Sequence, residues 1–262
     1  MICNAYHDAL PRQLALDFCL TPGDITDQRN HFSVYFPQEG RRRFQENREM
    51  LLKIASVNGK LLFTGREDIV ESLRGFYSDT PGDWFFEYNS LRELETRLLP
   101  FGIRPDAAHP FFLPAQRVPV SPGKIQICFY EQDEIGQFRG DDRFSDAFAF
   151  DPDAPDKLGI AAIRDGQILG MAGASQDSPL LWQIGINVTP SCRQSGIATL
   201  LVSLMRERVF EHGAVPFYGT SMSHILSQRV AARAGFVAAW AEMSTKKIEG
   251  SLHQQCGSEM KG

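Results

Sequence analysis

Apolar residues recur at helical spacing in some stretches and cluster or alternate in others, and the switch between the two periods divides the chain into elements. In the first 120 residues, Leu14 to Cys19 reads as a helix that ends at Thr21-Pro22-Gly23. Met50 to Val57 and Lys60 to Phe63 are apolar runs around Asn58-Gly59, the signature of a hairpin with a tight turn. Thr64-x-x-Glu67 and Ser90-x-x-Glu93 have capping-box spacing, and apolar periodicity resumes behind them at Ile69-Val70-Leu73 and Leu91-Leu94-Leu98. Together these predict a small α+β lobe. Between Arg104 and Pro122 stand Pro105, Pro110, Pro114, Pro119 and Pro122, a spacing that prevents a helix and interrupts any central strand. An extended connector anchored by Phe111-Phe112-Leu113 is expected, with a boundary near Gly123.

The second half is patterned more regularly. Ile125 to Tyr130 has the composition of a strand; Leu158 to Ile163 and Ile168 to Ala174 form a hairpin around Asp165-Gly166. Leu180 to Val188 is apolar and β-branched, broken by Gly185, where a bulge is expected. Ile197, Leu200, Leu201, Leu204, Met205, Val209 and Phe210 then follow helical spacing as far as His212-Gly213. Val215 to Thr220 reads as a strand, about His224 to Ala234 as a helix with Gly235 as C-cap, and Phe236 opens another strand.

The informative junction lies between Val188 and Leu201. A strand stops at Pro190, and Arg193, Gly196 and Ala198 form R-x-x-G-x-A just where a helix begins. Small residues there let backbone N–H groups approach an anion, and the helix adds its positive dipole end. A phosphate is the natural guest.

Taken with the order of elements, Val188-x-Pro190-x-x-Arg193-x-x-Gly196-Ile197-Ala198 resembles the acyl-CoA pyrophosphate loop of the GNAT acyltransferase superfamily, and Gly235-Phe236 resembles that family's closing Gly-Phe. The resemblance covers roughly residues 124 to 247. The chain is also similar to a two-part subset of that superfamily through Trp182-Gln183-Ile184-Gly185-Ile186 and Val215-Pro216-Phe217-Tyr218-Gly219-Thr220, which brings no substrate with it. What the resemblance implies is an α+β fold in which a mixed sheet flanked by helices (123–250) follows a smaller N-terminal α+β lobe (1–122), itself a candidate degraded copy, with a polar tail at 251–262.

It also implies direct transfer, in which acetyl-CoA and an amine acceptor bind together and the amine attacks the thioester. The clamp would be Arg193, Gln194, Ser195, Gly196, Ile197 and Ala198, and the donor to the thioester oxygen a backbone N–H among Ile186 to Val188. His224 falls where relatives often carry an Asn that contacts the cofactor, and Ser227 stands one turn on. Two of the family's usual groups are missing. No carboxylate lies in Leu180 to Val188, where Gln183 cannot act as a base, and Ala231 occupies the position of the usual Tyr acid. Tyr218 is the substitute candidate for the acid, and the base is unassigned. An acyl-CoA-binding sensor that has lost catalysis, and an interaction module using the fold without CoA, are the alternatives these gaps leave open.

Composition narrows the classes further. A formal charge of −5 and a pI near 5.7 give no basic face for nucleic acid. Arg41-Arg42-Arg43 is diluted by Glu39 and by Glu46 to Glu49, so a solvated helix or loop face is expected there. No apolar run approaches the ~20 residues of a membrane span, and the N-terminus lacks signal-peptide character, which predicts a cytoplasmic protein of 262 residues without a membrane partner. Cys3, Cys19, Cys128, Cys192 and Cys256 are scattered, suggesting reduced thiols and no metal site, with Cys192 a small filler beside the phosphate turn. The aromatics Phe76, Tyr77, Trp84, Phe85, Phe86 and Tyr88 are expected in a core in preference to a pocket.

Overall fold

The computed structural model describes residues 8–42 and 50–248. Its centre is a ten-stranded mixed sheet in the order β1-β3-β2-β10-β4-β9-β8-β7-β6-β5. The strands are β1 (His31–Val34), β2 (Leu52–Val57), β3 (Lys60–Gly65), β4 (Ile103–Pro114), β5 (Gln126–Glu131), β6 (Asp156–Arg164), β7 (Gln167–Gln176), β8 (Leu181–Val188), β9 (Val215–Gly219) and β10 (Phe236–Lys247). The helices are α1 (Ala9–Asp17), α2 (Pro22–Thr26), α3 (Glu67–Tyr77), α4 (Tyr88–Leu98), α5 (Gln132–Ile135), α6 (Ile197–Glu211) and α7 (Ile225–Arg233). Among the described residues no helix is long and apolar enough to cross a membrane.

Both hairpins form where the turn chemistry puts them. Val57 pairs with Lys60 across Asn58-Gly59 (φ 50° and 79°), and Arg164 with Gln167 across Asp165-Gly166 (φ 51° and 74°), two positive-φ residues in each turn. The helix starts behave differently. Thr64 is the penultimate residue of β3 and α3 follows Arg66 without a side-chain cap; α4 starts earlier than Ser90, after Glu87. A capping box does form at Thr21 and Asp24, so Thr21-Pro22-Gly23, expected to end a helix, opens α2.

The expected connector is largely a central strand. β4 pairs antiparallel with β10 from Ile103 to Pro114 and on its other side with β9 at Phe111 and Phe112 alone. Pro105, Pro110 and Pro114 all fall outside that two-residue contact, and the β10 ladder carries two register shifts, so the missing N–H groups break little pairing. The sheet therefore runs unbroken past Gly123. Ala172, Ala174, Ile184, Leu201, Met205, Ala231 and Phe236 build one core under α6 and α7; Leu14, Phe18, Ile25, Phe217 and Trp240 build another under α1 and α2 on the opposite face. Tyr77 and Phe85 join the α3–α4 core as predicted, whereas Phe76, Trp84 and Tyr88 are exposed.

Arg42 overturns the expectation of a solvated arginine run. It is 2% exposed, its Nε donates to Asp17 Oδ2 at 2.5 Å, its Nη2 pairs with Glu242, and its guanidinium lies over the Trp240 ring at 5.1 Å. Arg41 lies over Tyr35 and donates to the Asp17 carbonyl, while Arg43 lies outside the described residues. Sequence charge counts could not see that Asp17 and Glu242, 25 and 200 residues away, converge on Arg42.

Candidate functional site

β8 and β9 run parallel and pair at Leu181–Val215, Trp182–Pro216 and Gln183–Phe217, then part. Between them opens a cleft of about 1000 Å³ whose lining residues run from Asp146 to Arg233. Its β8 wall is an unpaired strand edge. Thr189 N–H donates to Leu169 O on β7 at 2.9 Å, and because successive amides alternate, Asn187 and Gly185 also face β7 while the even-numbered amides face β9; beyond the last pair, Gln183–Phe217, whose ladder takes up the Ile184 N–H, the N–H groups of Ile186 and Val188 point into the opening. Of the three donor candidates between Ile186 and Val188, Asn187 is thereby removed.

At the end of that edge the chain makes the predicted turn. Gln194 (φ 62°) and Gly196 (φ 87°) are left-handed, Gly196 is the N-cap of α6, and nothing lies within 4 Å of where its Cβ would be. The first helical hydrogen bond of α6 is Leu200 N–H to Gly196 O, so the N–H groups of Ile197, Ala198 and Thr199 have no partner in the helix. Arg193 from the turn, with Arg229 and Arg233 one helical turn apart on α7, lines the same cleft, and none of the three is paired with a carboxylate among the described residues. Unsatisfied donors, a helix N-terminus and three cations fit a pyrophosphate and a further phosphate.

Of the sequence-predicted residues, Ile186, Val188, Arg193, Gln194, Gly196, Ile197, Ala198, Tyr218, His224 and Ser227 all line the cleft. Ser195 is the exception: its hydroxyl donates to Cys192 O at 2.6 Å and braces the turn. Tyr218 is 2% exposed over the whole residue, and its hydroxyl lies 2.8 Å from Ser227 Oγ. Burial pushes the phenol up, the Ser227 hydrogen bond opposes this, and the charge of Asp146 adds to the rise. The hydroxyl therefore keeps its proton at neutral pH and can donate it. Ala231, one turn beyond Ser227, is buried in the α6–α7 core. Cys192 packs against that core from the cleft's edge, as the filler reading predicts.

Sequence reasoning missed Asp146. It stands in the segment between α5 and β6, where no motif marks it, and lies against β8 on the face opposite α6. The bulge expected at Gly185 is absent, since the β7–β8 register holds from Gly170–Val188 to Gln176–Trp182 without a shift. Gly185 is needed for another reason: a Cβ there would lie 1.8 Å from the Asp146 carbonyl oxygen, and one on its cross-strand partner Gly173 would lie 1.9 Å from that of Ala147. Among the described residues the cleft lining comes from the second half, with β4 paired beside β9 at Phe111 and Phe112.

Residues 126–236 match the acetyltransferase (GNAT) family and form a domain of that family. No curated protein matches the chain by sequence. Among solved structures it is similar to a GNAT-family acetyltransferase from Novosphingobium aromaticivorans (20% identity, 56% of this chain and 68% of that one, TM-score 0.40) and to a GNAT-family acetyltransferase from Colwellia psychrerythraea (14% identity, 59% and 62%, TM-score 0.41). The chain thus spans about two thirds of the length of these neighbours. An aminoglycoside N-acetyltransferase in complex with CoA is also similar (24% identity, 44% of this chain and 92% of that one, TM-score 0.34).

Proposed function

We propose that this chain, whose residues 126–236 form a GNAT acetyltransferase domain, transfers an acetyl group from acetyl-CoA to an amine acceptor by direct attack in a ternary complex. The observation that carries the reading is the parting of β8 from β9, which leaves a strand edge of free N–H groups leading straight to the free N-terminus of α6. Acetyl-CoA, when bound, supplies an activated thioester. Ile186 and Val188 offer amides in the positions an added strand would use, suited to the amide-bearing arm of CoA. Ile197 to Thr199 and Arg193 suit its pyrophosphate, and Arg229 and Arg233 suit the remaining phosphate.

Tyr218 takes the role of proton donor to the departing thiolate. It comes from β9, whereas the family's usual Tyr would stand on α7 at Ala231; the two origins converge because Tyr218 reaches across to Ser227 on the same helix. His224, the exposed N-cap residue of α7, and Ser227 complete the CoA side. On this reading residues 123–250 carry the chemistry, and residues 1–122 form a lobe that completes the sheet.

Acetyl-CoA should raise the melting temperature, a ligand at 100 times its dissociation constant adding about 2.7 kcal/mol. Gly196→Glu should abolish that shift, because it strains a left-handed N-cap and sets a carboxylate against the phosphates. Free thiol released from acetyl-CoA in the presence of amines tests the transfer itself. A folded Gly196→Glu protein with an unchanged shift overturns the clamp, and CoA binding without thiol release across the amines favours the sensor.

A further inference from the structure

We propose that Asp146 is the acceptor-recognising carboxylate of this site, that the acceptor it selects is a cationic primary amine, and that Asn187 is its positioning residue. This rests on the acetyltransferase reading above and names the substrate class and the proton acceptor that reading leaves open.

Three observations carry it. Asp146 lines the cleft, and no cationic side chain pairs with it among the described residues. It is fixed in place: Asn187 Oδ1 accepts from the backbone N–H of Asp146 (2.9 Å) and of Ala147 (2.8 Å), while Asn187 Nδ2 donates to Asp146 Oδ2 at 2.9 Å. That leaves Oδ1 of the carboxylate without a partner among the described residues. Finally, the segment is seated directly on the sheet, since Gly173 and Gly185 form a side-chain-free patch across β7 and β8 that the carbonyls of Ala147 and Asp146 occupy. A loop merely crossing the surface would not require two facing glycines, nor a side chain on β8 that makes three hydrogen bonds to it.

Position then separates the roles. β8 presents Ile184 and Ile186 to the α6 core, so Asn187 and Gly185 project to the opposite face, where Asp146 sits. Tyr218 belongs to the α6–α7 side, and it and Asp146 line the same cleft. The cleft carries both signs of charge, with Arg193, Arg229 and Arg233 and the unpaired Asp146 all in its lining. An ammonium group entering beside Asp146 gains a charge-assisted hydrogen bond to its carboxylate. In the transfer the ammonium first releases one proton to solvent; the neutral amine nitrogen then bonds to the thioester carbonyl carbon, its second proton passes to Asp146, the carbon–sulfur bond breaks, and the thiolate takes the Tyr218 proton. Asp146 and Tyr218 then regain their starting states through solvent.

Spermidine, kanamycin and a lysine-containing peptide serve as cationic probes, with thiol release read on the full chain and spermidine affinity read by calorimetry in the presence of CoA. Asp146→Asn should lower kcat/KM for whichever probe the wild type uses by about 100-fold or more and weaken spermidine binding about tenfold, with the CoA-induced melting shift unchanged. Asp146→Ala should regain turnover when formate, a free carboxylate small enough to enter, is added. Asn187→Ala should lower kcat with less effect on CoA binding. Asp146→Asn within a few-fold of wild type in both kcat/KM and spermidine affinity overturns the inference. If the wild type binds CoA but turns over with no amine, the acetyltransferase reading fails separately; spermidine binding that is the same in wild type and Asp146→Asn then overturns the inference as well.

Discussion

Glu242→Gln is the sharpest perturbation of the fold, because it neutralises a carboxylate that three groups hold inside the protein. Glu242 is 4% exposed and accepts from Lys53 Nζ at 3.0 Å, from Trp240 Nε1 at 2.7 Å and from Arg42. Burial pushes its pKa up, but Arg42 and Lys53 together more than reverse this and bring it to about 2 from an ordinary 4.5. The folded value is the lower one, so the carboxylate contributes stability above pH 4.5 that is lost as pH falls toward 2. At 1.36 kcal/mol per pH unit, the difference of roughly 2.5 units corresponds to about 3 kcal/mol, of which about 2 kcal/mol is gone by pH 3. At pH 6 the variant removes one partner of the buried Arg42–Glu242 and Lys53–Glu242 pairs, a break that typically costs about 3–5 kcal/mol. Urea unfolding followed by tryptophan fluorescence at pH 6 and pH 3 should therefore show the gap between wild type and Glu242→Gln shrinking by about 2 kcal/mol. A gap that stays constant between those pH values would mean that the ionised carboxylate contributes nothing, and would refute the reasoning.

Two other substitutions test the cleft. Tyr218→Phe keeps the ring in its core and removes the hydroxyl bonded to Ser227, so stability should fall by only about 1 kcal/mol while turnover drops ~10²–10⁴-fold at unchanged CoA affinity; a loss of a few-fold would assign thiolate protonation to solvent. Gly185→Ala forces a methyl to within 1.8 Å of the Asp146 carbonyl oxygen and must lift that segment from the sheet, so the acceptor KM should rise several-fold with CoA binding retained, and unchanged acceptor kinetics would show that the seat does not position Asp146.

The phosphate turn is legible in the amino-acid order alone because all its parts are local. Strand, Pro190, Arg193, Gly196 and the periodic α6 follow one another within a few residues, and left-handed backbone at Gly196 is a requirement that a single residue type meets readily. The same holds for Asn58-Gly59 and Asp165-Gly166, where turn chemistry and strand register are one problem. Sequence patterns mislead where the deciding partner is remote. The prolines of β4 look incompatible with a central strand, since nothing local reveals that β9 pairs with only two of its residues. Arg42 looks solvated because its counter-charges come from α1 and β10. Gly185 looks like a bulge because the carbonyl that fills the space over it belongs to residue 146.

By itself, then, the sequence determined most of the elements and the helix N-terminus that suits a phosphate, since periodicity, turn residues and capping act over a few residues. Tertiary structure alone decided where β8 and β9 part, which amides that leaves free, and how Asp146 and Tyr218 come to line one cleft, because each depends on pairing and burial between segments tens of residues apart.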